Sequence, residues 1–169
     1  MNSSLLIVNV LRFVLLVLFQ VILFDHISFL KYINPYPYLL FILLYPVNGN
    51  RAGLLLSSFF LGLTIDMFND SGGVHATASL VLAYLRPEFF KFSFGLSYEY
   101  QTVKINDRLT PERFSFLLIS IFTHHITLFF LEIFRFSFIT DILLRTLFST
   151  IFTLLLCILI IYLFKPVKK

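Results

Sequence analysis

Histidines, carboxylates and a lone thiol are the side chains through which this chain could do chemistry, and few of its 169 residues carry them. His124, His125 and Glu132 share one predicted helix and, as a set, could ligate a metal or work as an acid and a base. Their spacing opposes both. His125 and Glu132 share a face at i and i+7, about 10 Å apart along the axis, too far for one metal unless a third element reaches between them. Adjacent His124 and His125 point about 100° apart. Histidines bonded across helices to Thr, Ser or backbone groups account better for them. HExxH, a nucleophile elbow and a phosphate-cradling glycine loop are all missing from the sequence. Cys157 is the only cysteine, which excludes an intramolecular disulfide and a cysteine-based metal cluster. The expectation is a protein with no catalytic residue, no metal, no cofactor and no enzymatic activity.

Asp66 and His75 are more informative. No charged residue lies between Arg51 and Asp66, and Asp66 stands just before the polar turn Asn69-Asp70-Ser71-Gly72-Gly73. An ionisable group at the lip of a lipid-length helix is costly unless it serves something. Ser58, Gly62 and Asp66 are spaced by four, as are His75, Ser79 and Ala83, so each set lines one helix face. Both faces are small or polar, which in lipid permits close backbone approach and interhelical hydrogen bonds. Two readings stay open: a tight hairpin in which Asp66 and His75 are satisfied locally, and a partner-binding face. Gly72 and Gly73 permit the sharp reversal between the helices. Arg12 lies about 11 Å in from Leu5 along the first helix. An Arg toward a helix centre costs about 2.5–3.5 kcal/mol on insertion scales. Snorkelling to the interface and contact with a neighbouring protein are its two readings.

The elements that must position these groups are membrane helices. With 59% hydrophobic and 13% charged residues and a mean hydropathy of +0.92, the apolar surface exceeds what one soluble core can hide. A spanning helix needs about 20 apolar residues, and the pattern predicts an all-α, polytopic membrane protein of about six transmembrane helices in one domain. The helices are expected over 5–24, 33–47, 52–68, 74–90, 111–134 and 141–164, with a cytoplasmic loop over 91–110. The second carries Pro35, Pro37 and Pro46, and such segments can be broken or re-entrant. The fourth has the option of continuing through Arg86-Pro87 toward Phe94. The first run exceeds a signal-peptide core and lacks a small-residue cleavage site, so it is expected to stay as helix 1.

Basic residues set the orientation. With both termini cytoplasmic, nine of the thirteen fall inside: Arg51, Arg86, Lys91, Lys104, Arg108, Arg113, Lys165, Lys168 and Lys169. The net charge of +4 then belongs mostly to the inner membrane face and makes no case for nucleic acid. Asp66, Glu132, Asp141 and Arg145 fall near the external boundary, with Asp141 and Arg145 spaced for an i,i+4 pair and Glu132 and Arg135 for i,i+3. Tyr32, Tyr36, Tyr38 and Tyr45 read as head-group anchors. Thr110-Pro111-Glu112 places an N-cap, a first-turn proline and an acid at the start of helix 5.

Asn34-Pro35-Tyr36-Pro37 opens a short apolar helix, followed by Gly53, then Gly62-Leu63-Thr64-Ile65-Asp66 and a glycine-bearing turn into His75-Ala76. This combination resembles the MreD family of rod shape-determining membrane proteins. The likeness extends to size and span pattern and covers roughly residues 30–87. Arg86-Pro87-Glu88 and the tyrosine-bearing loop after it depart from the family pattern. The resemblance implies a non-enzymatic component of the cell-elongation complex in the cell inner membrane, working with MreC, the actin-like MreB, RodA and a class B penicillin-binding transpeptidase. It also implies a fold similar to the substrate-binding subunits of energy-coupling factor transporters, which keeps a small-molecule transport subunit as the alternative. Carried over by position, it points to Pro35, Pro37, Gly62 and Asp66 as partner-binding, to which Ser58, His75 and Arg12 are added from the reading above.

Overall fold

A chain that must satisfy its own backbone polar groups in lipid has helices as its simplest solution, and the long apolar runs are all helical. The computed structural model describes residues 3–24, 34–47, 49–95 and 109–163. Tyr32, Lys31, the middle of the expected loop with Lys104 and Arg108, and the C-terminal lysines lie outside these residues. Helix α1 (Ser3–Phe19) runs into a π-helical turn over Gln20–Phe24. A 3-10 turn (Pro37–Leu39) then leads into the single turn of α2 (Leu40–Leu43). Helices α3 (Arg51–Asn69), α4 (Val74–Phe94) and α5 (Pro111–Ile133) follow, and a 3-10 turn (Phe136–Phe138) joins α5 to α6 (Ile139–Leu163).

Among the described residues four segments are long and apolar enough to cross a membrane: Ile7–Phe24, Arg51–Asn69, Pro111–Ile133 and Phe136–Leu163. Helix α4 has the length, 21 residues, but bears Arg86, Glu88 and Lys91. It continues through Pro87, whose missing N–H leaves the Ala83 carbonyl without its usual helical partner. It packs between α3 and α5, and α5 packs in turn on α6. Thr110 caps α5 as expected, its side chain accepting from the Arg113 N–H at 3.4 Å with Pro111 in the first turn. Phe134 ends α5 in the left-handed region (φ 42°). Arg135 therefore leaves the helix, and Glu132 pairs instead with Arg145 of α6 at 3.5 Å.

The proline-marked segment is the most enclosed part of the molecule. Tyr38, Leu39, Ile42 and Leu43 are fully buried and Leu40 nearly so. Being interrupted, it needs side chains to satisfy its backbone, and these come from the surrounding helices. Gln20 Nε2 donates to the Pro35 carbonyl at 3.4 Å, and the Tyr36 N–H donates to Thr153 Oγ1 at 3.1 Å. At the other end, Arg12 Nη1 donates to the Leu44 carbonyl at 3.2 Å. Arg86 Nη2 donates to the Leu43 carbonyl at 3.3 Å and also to that of Tyr45. Two guanidinium groups thus cap the C-terminus of α2, where cations complement the exposed carbonyls and the helix dipole.

This burial corrects the interfacial reading of the tyrosines. Tyr36, Tyr38 and Tyr45 keep 5%, 0% and 6% of their surface, because their segment threads the bundle interior. Large apolar side chains stand outside on every long helix, among them Ile7 on α1, Leu56, Phe60 and Met67 on α3, Phe92 on α4, Phe122 on α5 and Leu159 on α6. These are surfaces that lipid can cover.

Candidate functional site

Two polar clusters meet where the turn between α3 and α4 faces Asn34–Pro37. The first is built on Asp66, one turn before the end of α3. Its Oδ1 accepts from the His75 N–H at 3.0 Å and from Ser71 Oγ at 2.6 Å, and its Oδ2 accepts from the Ala76 N–H at 2.8 Å. The carboxylate therefore holds the first turn of α4, where orphan amides and a positive dipole end favour an acid. Asp70, Gly72 and Gly73 make the reversal at φ 52°, 68° and 96°. Gly62 lets the two backbones touch: a Cβ there would run into the His75 carbonyl oxygen and lie 2.5 Å from Ala76 Cα and 2.6 Å from Ala76 N.

The second cluster is aromatic, with Tyr38 and His124 fully enclosed and His75 reaching the cavity wall. The Tyr38 hydroxyl lies 3.0 Å from His75 Nδ1 and 2.8 Å from His124 Nε2. A single hydroxyl proton donates to one imidazole while the oxygen accepts from the other, so the three groups form one ordered chain. His125 is engaged separately: its Nδ1 lies 2.7 Å from the Ile121 carbonyl and its Nε2 lies 3.3 Å from Thr153 Oγ1. Nδ1–H donating to Ile121 and Thr153 O–H donating to Nε2 leave the Thr153 oxygen to accept the Tyr36 N–H, a consistent proton order. The Tyr36 ring packs at 5.4 Å from both His75 and His125.

Above these clusters lies a cavity of about 550 Å³. The polar residues that line it are Asn34, Tyr36, Asn69, Ser71, His75 and Glu132. Val74 and Leu131 supply apolar wall. A second recess of about 440 Å³ beside it gathers Arg135, Asp141 and Arg145.

The structure brings the expected site residues together unevenly. Pro35, Pro37, Ser58, Gly62, Asp66 and His75 are all buried, and all face the interior around the α3–α4 hairpin and the segment wedged beside it. Arg12 is held at the opposite end of that segment. His124 and His125 have ring planes 86° apart, and His125 is buried whereas Glu132 stands at the cavity rim with its side chain 46% exposed. No group of three metal-ligating side chains occurs among the described residues. Sequence reasoning missed Tyr38, Gln20 and Arg86. The one signal for Tyr38 was the presence of two histidines in apolar helices, each of which needs a polar partner.

No family model matches the chain, and no curated protein or solved structure matches it either.

Proposed function

We propose that the protein is a non-enzymatic membrane scaffold of the MreD kind, holding MreC and, through it, the cell-shape and peptidoglycan-synthesis machinery of the elongation complex. One observation carries this reading. The residues on which the resemblance rests serve one another: Asp66 caps α4, Gly62 admits the His75–Ala76 backbone, and the Pro35–Pro37 segment is threaded beside them. They order the hairpin and the segment beside it. In this reading α4 and the proline-marked segment complete six crossings of the cell inner membrane. Both termini then lie at the cytoplasmic face with Arg51, Lys91 and Arg113, in a fold akin to transporter substrate-binding subunits. The partner meets outward apolar faces such as that of Leu56, Phe60 and Met67 on α3, because the site residues themselves are turned inward.

The test is co-purification of the tagged full chain from solubilised membranes, with retained proteins identified by mass spectrometry. MreC together with RodA, MreB or a class B penicillin-binding transpeptidase is the expected result, and its loss in a Phe60→Ser, Met67→Ser double variant would locate the contact. Recovery of an ATPase pair with a coupling subunit would replace this reading with the transport-subunit one, which the polar cavity at the bundle end favours.

A further inference from the structure

The cavity at the α3–α4 turn has a chemistry that neither hairpin packing nor partner docking uses. At about 550 Å³ it falls within the usual range of small-molecule sites, about 300–1,000 Å³. Its walls come from four separate places in the chain: Asn34, the α3–α4 turn, the first residues of α4, and the end of α5.

The character of the walls narrows the ligand. Among the described residues no Lys or Arg lines the cavity, although phosphate and carboxylate groups are generally recognised by such cations. The nearby α4 N-terminus is no anion site either, because the His75 and Ala76 amides already donate to Asp66. A cationic ligand is disfavoured too: the one carboxylate among the described wall residues, Glu132, is offset by Arg145 at 3.5 Å. What remains is neutral hydrogen-bonding capacity. The two carboxamides carry donors and acceptors together. Ser71 gives its proton to Asp66, so its oxygen keeps acceptor capacity. His75 commits Nδ1 to Tyr38, leaving Nε2 as the nitrogen with which the ring can meet a ligand. Val74 and Leu131 offer apolar patches beside these groups.

We propose that this cavity binds a small, uncharged, hydroxyl-rich molecule of one or two sugar rings, held by Asn34, Asn69, Ser71 and His75. The proposal goes beyond the scaffold reading and does not rest on it, since partner recovery and ligand binding are separate readouts.

The test uses the full chain in lipid nanodiscs and N,N′-diacetylchitobiose as the probe, followed by saturation-transfer NMR, with inorganic phosphate and spermidine as charged comparators. Saturable transfer to the disaccharide is expected, with neither comparator displacing it. Asn34→Leu and Asn69→Leu should each weaken binding about fivefold, the size of one lost hydrogen bond. A second measurement needs no variant: the disaccharide should slow carbethoxylation of His75 by diethyl pyrocarbonate at least threefold, read by mass spectrometry. Absence of saturable transfer, binding of phosphate or spermidine instead, undiminished affinity in both folded variants, or unchanged His75 modification would each overturn the proposal.

Discussion

Replacing Asp66 separates a shape-holding role from a direct partner contact. In the wild-type protein its carboxylate accepts two α4 amides and the Ser71 hydroxyl at 2.6–3.0 Å, with only 5% of its surface exposed. Asp66→Ala removes the acceptor and leaves the His75 and Ala76 amides without it. A hydrogen bond to a charged group contributes about 1.5–3 kcal/mol. The turn beside it includes exposed Gly72, so water can partly replace the loss and the low end applies. Two amides at about 1.5 kcal/mol and a hydroxyl at up to about 1 kcal/mol give about 3–4 kcal/mol. Loss of an N-cap alone, about 0.5–2 kcal/mol, sets the floor.

At about 2–4 °C per kcal/mol for a chain of this size, the unfolding midpoint should fall by about 6–16 °C. Asp66→Asn keeps one oxygen acceptor, so it should lose about half as much. Cys157 supplies the assay: it is the only cysteine and it is buried, so a thiol-reactive dye reports unfolding in detergent. A midpoint for Asp66→Ala within about 2 °C of wild type would refute the capping argument. Loss of partner recovery by a well-folded Asp66→Asn would likewise return Asp66 to the partner surface. Without the stability measurement, failed co-purification of Asp66→Ala would say nothing about contact, since the hairpin that presents the surface would itself be damaged.

Gly62→Ala should lower the same midpoint by at least as much as a typical overpacking change, about 1–3 kcal/mol, because the new methyl meets backbone that cannot rotate away; a wild-type midpoint would count against the close crossing. Tyr38→Phe keeps the ring and removes the hydroxyl between His75 and His124. Bonds of this kind in membrane proteins average about 0.6 kcal/mol, while stranded partners add to the cost. A loss of about 1–3 kcal/mol is expected, and the double variant Tyr38→Phe, His124→Leu should recover part of it; strict additivity would argue against the chain of bonds. Arg12→Leu should destabilise the protein by about 1–2 kcal/mol through the Leu44 carbonyl it leaves uncapped. Its partner recovery should match wild type once the protein is folded, whereas selective loss of MreC from a stable Arg12→Leu protein would restore the partner-contact reading.

The long helices were legible because an apolar run of membrane length has few other uses, and the start of α5 was legible because Thr110-Pro111-Glu112 carries its own cap. The same patterns fail inside the bundle. Hydropathy separates water from apolar surroundings but not lipid from protein, so Tyr36-Pro37-Tyr38-Leu39-Leu40 reads the same at an interface as at the centre of five helices. The proline spacing marked the segment as broken without saying where its carbonyls would find donors. Those donors proved to be Arg12 and Gln20 before it and Arg86 after it. Their acceptors are backbone oxygens, which every residue has, so no residue-type pairing betrays the contact. Arg12 donates to the Leu44 carbonyl rather than to an acid, and the reason lies in the segment: a broken helix exposes carbonyls where an unbroken one would bond them internally. The interruption of α2 and the two arginines that cap it thus belong together. Straightening the segment into a regular helix would take these acceptors from the half-buried Arg12 and the buried Arg86, which is a physical reason for the prolines and the arginines to occur in the same chain.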